Sequence, residues 1–222
     1  MSRNVQQRGK RGSLRWIQSA ILDGWDSLEQ PILAELATAT RVDWRSPIAA
    51  DDFAEYRDGD FLDLVGLTHL RSALSDFWPD RGPQWDALGV SDRQHVLLVE
   101  AKAHVAEMCS PGTTAGPSSA LRIGQALDEC AKVLGARKAR AAWTEHFYQL
   151  ANRIAHLHFL RERGVPAYLV LVNFLNDQEM NGPTTQEAWE AAYQVAFHVM
   201  GLPKRHALSR YILHVFPDVS GR

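Results

Sequence analysis

Residues 96–104 read VLLVEAKAH, and the step from four aliphatic residues to an acid and an amine decides how this chain is organised. In an extended strand successive side chains point to opposite faces. Val96, Leu98, Glu100, Lys102 and His104 therefore share one face, and Leu97, Val99, Ala101 and Ala103 share the other. The charged pair continues an apolar face, where charges are stable only with a partner group, a metal ion or a cleft open to water. The preceding residues, PQWDALGV at 83–90 and the SDRQ turn at 91–94, make this strand the second arm of a β-hairpin.

Outward from the hairpin, AYLVLVNFL at 167–175 is continuously apolar, as a central strand covered on both faces must be. RYILHVF at 210–216 gives a final strand, and RVDWRSP at 41–47 a short first one. Helical spacing runs from 14 to 39, with a division expected at Pro31. The acid-rich stretch 48–67 reads as a helix opened by its acids, and 69–79 as a short helix. CSPGTTAGPSS at 109–119 is a loop. Helices follow at 119–135, at 142–163 (stopped by Gly164 and Pro166) and at 185–200. Strands joined by long helical connections, with one early hairpin, specify an α/β fold: a mixed sheet packed between helices.

The 222 residues are 45% hydrophobic and carry a formal charge of -2, which suits one globular domain over 14–222 and excludes a histone-like or disordered acidic chain. Residues 1–13, with Arg3, Arg8, Lys10 and Arg11 and no acid, read as a basic flexible tail without the apolar core of a secretion signal. Two cysteines without metal spacing point to a reducing, cytoplasmic setting. No apolar run is long enough for a membrane span, so no membrane partner is expected. GTTAG lacks the Lys-Ser/Thr of a phosphate loop, and GPSSA lacks the form of a serine-hydrolase elbow. His156 and His158, two apart on a helix, do not make a zinc pair.

The hairpin brings Asp86 toward Glu100 across roughly 5 Å. Two carboxylates at a sheet end, with the Ala101 carbonyl as a further ligand, form a hard-oxygen site for Mg²⁺ or Mn²⁺. Lys102 adds a charge that positions water and stabilises a phosphoryl oxygen. That combination suits phosphodiester hydrolysis.

In these residues the chain resembles the PD-(D/E)XK phosphodiesterase superfamily: Asp86, thirteen intervening residues, then Glu100-Ala101-Lys102. The usual proline before the aspartate is displaced to Pro83. The resemblance covers roughly residues 50–176 and implies a restriction-endonuclease-like fold, here with extra N- and C-terminal helical elements. It implies a metal-dependent nuclease acting on nucleic acid, DNA in particular, and allows a homodimer. It also implies an auxiliary acid from the first core helix, Glu55 with Glu35 next, and a polar residue from the later helix, Gln149. Arg137, Lys138, Arg140 and Arg153 would supply local positive charge. The alternative is a catalytically silent nuclease-like module that binds nucleic acid or acts as a scaffold.

Overall fold

A computed structural model describes residues 3–136 and 142–222, and Arg137, Lys138 and Arg140 lie outside the described residues. The chain is α/β. A five-stranded mixed sheet has the order β2 (Val42–Ser46), β4 (Ala87–Ser91), β5 (Val96–Lys102), β6 (Ala167–Asn173) and β7 (Ile212–Val215). β2–β4 and β4–β5 are antiparallel, whereas β5–β6 and β6–β7 are parallel. The strand at 41–47, the hairpin and the strand at 167–175 thus occur where the sequence pattern puts them.

β5 keeps the alternation read from its sequence. Leu97, Val99, Ala101 and Ala103 join Val170 and Val172 in a core closed by α1 (Gly12–Leu22) and α2 (Asp26–Glu35). Val96 and Leu98 join Leu169 and Leu171 on the opposite side. That larger core is covered by α3 (Asp58–Leu64), α4 (Arg71–Phe77), α5 (Pro117–Val133), α6 (Tyr148–Glu162) and α7 (Gln186–Val199). Every residue of β5 is buried. Each large aliphatic side chain removed from water there contributes about 1.5–3 kcal/mol, which fixes the register, because a one-residue slip would exchange the two faces.

Three local expectations are corrected. The break between the first helices falls at Gly24, not Pro31, which sits inside α2. Gly24 takes φ +61°, and Trp25 N–H bonds back to the Ala20 carbonyl at 2.9 Å, a helix-ending turn that only glycine adopts cheaply. The acidic stretch does not form one helix from its first acids: a 3₁₀ turn at Ala49–Asp51 leads to left-handed Asp52 and Phe53, then to a two-residue strand, β3 (Glu55–Tyr56), before α3 starts at Asp58. Glu55 is therefore a strand residue. The segment whose charge reads as a flexible tail lies against the fold. β1 (Arg3–Asn4) pairs with β3, and the Arg3 guanidinium holds Asp51 at 2.6 Å.

Candidate functional site

The register of the hairpin builds the site. Ala87 pairs with Val99, so Asp86 stands one rung further on, opposite Glu100. Asp86 itself precedes β4, and its Oδ2 accepts the Ala101 N–H at 2.7 Å. A bridge between Tyr56 and Trp85 draws β3 alongside, which brings Glu55 to the same place. From the other side α6 contributes Gln149, Asn152 and Arg153, which share one face because they are three and four residues apart. The six residues proposed from sequence, Glu55, Asp86, Glu100, Ala101, Lys102 and Gln149, line one cleft of about 1050 Å³. Glu35 is exposed on α2 and does not line the cleft, and neither does His104, which contacts the lining residue Glu107 at 3.2 Å.

Glu100 is the most constrained member, at 3% side-chain exposure. Its Oε1 accepts from Lys102 Nζ at 2.8 Å and its Oε2 from Arg153 Nε at 2.6 Å. Lys102 Nζ also donates to Gln149 Oε1 at 3.0 Å. Arg153 donates to the Gln84 carbonyl at 2.6 Å and to Asn152 Oδ1 at 2.8 Å, and its Cζ lies 5.0 Å from the Trp85 ring centroid. Glu55 Oε2 accepts from Gln6 and from Gln84, both at 2.9 Å. The sequence reading placed Arg153 among cations available to a nucleic-acid backbone. Instead it is buried and committed to Glu100.

The electrostatics separate the carboxylates. Burial pushes the Asp86 carboxyl well above the usual range, and the negative charges of Glu100 and Glu55 push it further, against the Ala101 N–H and Arg153. Burial also raises Glu55, partly offset by the two glutamine amides. For Glu100 burial acts upward too, but Arg153 and Lys102 together outweigh it and hold the group below its ordinary value of 4.5. Among the lining residues five carboxylates face three cations, a formal excess of two negative charges. Such a cleft favours a cation.

No protein-family model, curated protein or solved structure matches this chain.

Whether the residues suit a divalent ion can be judged from the donors. Asp86 and Glu100 present hard carboxylate oxygens at one spot, Ala101 lines the same cleft, and the local charge is negative. Among the described residues no three His, Cys, Asp or Glu side chains group tightly enough to hold an ion alone, so a metal would rest on two carboxylates and a backbone carbonyl. The donor chemistry fits Mg²⁺ or Mn²⁺ on those terms. Among the described residues no helix is long and apolar enough to cross a membrane.

Sequence reasoning missed Arg153, Gln84 and Gln6 as site residues. The available signal for Arg153 was its place four residues after Gln149, on the face of α6 that the stripe Phe147, Leu150, Ile154 and Leu157 leaves over. Gln6 carried no signal, since its role depends on β1 pairing with β3. Trp78 and Trp85 are buried core residues. His156 is buried, donates from Nδ1 to the Asn152 carbonyl at 2.8 Å, and is pushed down to about 3 by its burial, so it stays neutral.

Proposed function

We propose that this chain is a metal-dependent nuclease that hydrolyses phosphodiester bonds, with DNA as its substrate. The observation that carries the reading is that Asp86 stands opposite Glu100 in the hairpin register, with Lys102 bonded to Glu100, all three lining one cleft of about 1050 Å³. Asp86, Glu100 and the Ala101 carbonyl would hold Mg²⁺ or Mn²⁺; when bound, the ion supplies Lewis acidity toward a phosphoryl oxygen and acidifies a water. Lys102 Nζ offers N–H donors toward a non-bridging phosphate oxygen, its direction set by Gln149. Glu55, secured by Gln6 and Gln84, accepts a hydrogen bond from water at the cleft wall. The excess negative charge of the lining repels a phosphate backbone until the cation enters, so substrate binding and ion binding are coupled.

The test is cleavage of labelled DNA in Mg²⁺ or Mn²⁺ by the wild type, Asp86→Asn and Lys102→Ala. Loss of cleavage in both variants, with the fold intact by circular dichroism, is the expected result. Equal cleavage by all three proteins rejects the assignment. A second reading, a nuclease-like module that binds without turnover, draws on the saturation of Glu100, whose two oxygens are both occupied by cations of the chain. It calls for ion-dependent thermal stabilisation with no cleavage of any nucleic acid.

A further inference from the structure

We infer that Arg153 is a built-in counter-cation that limits this cleft to a single divalent ion, held by Asp86, Ala101 and Oε1 of Glu100. The inference rests on the proposed metal site and adds a rule of occupancy to it. Arg153 and Lys102 hold Glu100 in unequal ways. Lys102 is a flexible point charge with two contacts, to Glu100 Oε1 and Gln149 Oε1. Arg153 is fixed at four points: Glu100 Oε2, the Gln84 carbonyl, Asn152 Oδ1 and the face of Trp85. Oε1 is therefore the Glu100 oxygen that would be open to a divalent ion, and Lys102, which also bonds Gln149 Oε1, would then be left to meet a phosphate. Oε2 stays with the guanidinium.

The second place an ion would be drawn to lies between Glu55 and Glu100, which line the same cleft on either side of Arg153: the guanidinium bonds Glu100 Oε2 and the Gln84 carbonyl, while the Gln84 amide donates to Glu55 Oε2. Arg153 already acts on all three carboxylates from there: its charge favours the ionised forms of Glu55, Asp86 and Glu100 alike. A second ion would need the Glu100 oxygen that Arg153 occupies, and it would need to sit beside a fixed guanidinium that is 4% exposed and cannot swing into solvent. Arg153 is thus a positioning residue: it acts through Glu100.

Calorimetric titration with Mn²⁺, together with the paramagnetic resonance signal of free Mn²⁺, counts ions per chain without reference to activity. The wild type is expected to bind one ion, and Asp86→Asn none, which locates it in the cleft. Arg153→Met is expected to bind two, doubling the Mn²⁺ held, and Arg153→Lys to return the count to one. Two ions in the wild type, or an Arg153→Met variant that still binds one, overturns the inference while leaving the nuclease reading intact. Failure of the wild type to bind any Mn²⁺ removes both. If Arg153→Met does not fold, the wild-type count alone decides.

Discussion

The same chemical change, acid to amide, should move stability in opposite directions at the two carboxylates that face each other across the hairpin. Glu100→Gln deletes a charge that two buried cations share at 2.8 and 2.6 Å. Breaking a buried pair by removing one partner costs about 3–5 kcal/mol. Here the lower end applies, ~3 kcal/mol, since Asp86 and Glu55 remain nearby to balance part of the uncovered charge. For a chain of this size that lowers Tm by roughly 6–12 °C. Asp86→Asn does the reverse. The amide oxygen can still accept the Ala101 N–H, while the cost of an ionised group facing Glu100 and Glu55 disappears. Asp86 keeps some contact with the water of the cleft, so the gain is modest, about 0.5–1 kcal/mol.

The pH dependence follows from the same two shifts. Glu100 is depressed in the folded state, so its contribution is present above the unfolded value of 4.5 and is lost as pH falls through the folded one; the deficit of Glu100→Gln shrinks on acidification. Asp86 is raised, so its contribution is present below its unfolded value of 3.8 and lost as pH rises through the folded one; the advantage of Asp86→Asn grows with pH. Urea unfolding in chelator, from pH 4 to 8, measures both. A destabilised Asp86→Asn at pH 8, or equal losses in the two variants, would refute the electrostatic account of the cleft.

Two other outcomes bear on the scaffold. A Cβ on Gly182 would lie 2.3 Å from the Ala103 carbonyl oxygen, a backbone atom that cannot swing aside, so Gly182→Ala should cost about 1–3 kcal/mol by thermal melting. Deleting residues 2–11 removes β1 and the Gln6 amide from Glu55, and should lower stability by about 1–2 kcal/mol while raising the reactivity of the Glu55 carboxyl toward carbodiimide, read by mass spectrometry.

What could be read from the sequence was whatever depends on a period of two. The alternation through Val96–Lys102 specifies both faces of β5, and with the turn at 91–94 it sets Asp86 opposite Glu100. What could not be read depends on isolated backbone choices or on distant partners. The acids near Asp51 look like a helix opening, yet Asp52 and Phe53 adopt left-handed conformations that no composition rule announces. Gln6 reaches Glu55 only through pairing across about fifty residues. An amphipathic reading of α6 gives Arg153 a polar side and leaves its charge for a nucleic-acid backbone, whereas the helix is buried continuously from Leu150 to Leu160. The polar side of such a helix is the wall of a cleft.

The parallel pairing of β5 with β6 also has a consequence during synthesis. Val96 pairs with Ala167, so 71 residues must be added before the second edge of β5 is covered. At 5–20 residues per second the hairpin waits roughly 4–14 s with an aliphatic edge open to other chains. Such edges seed aggregation unless charged residues interrupt them. Glu100 and Lys102 interrupt that aliphatic run, so the side chains that furnish the cleft also stand where charge limits edge-to-edge pairing of an unfinished sheet.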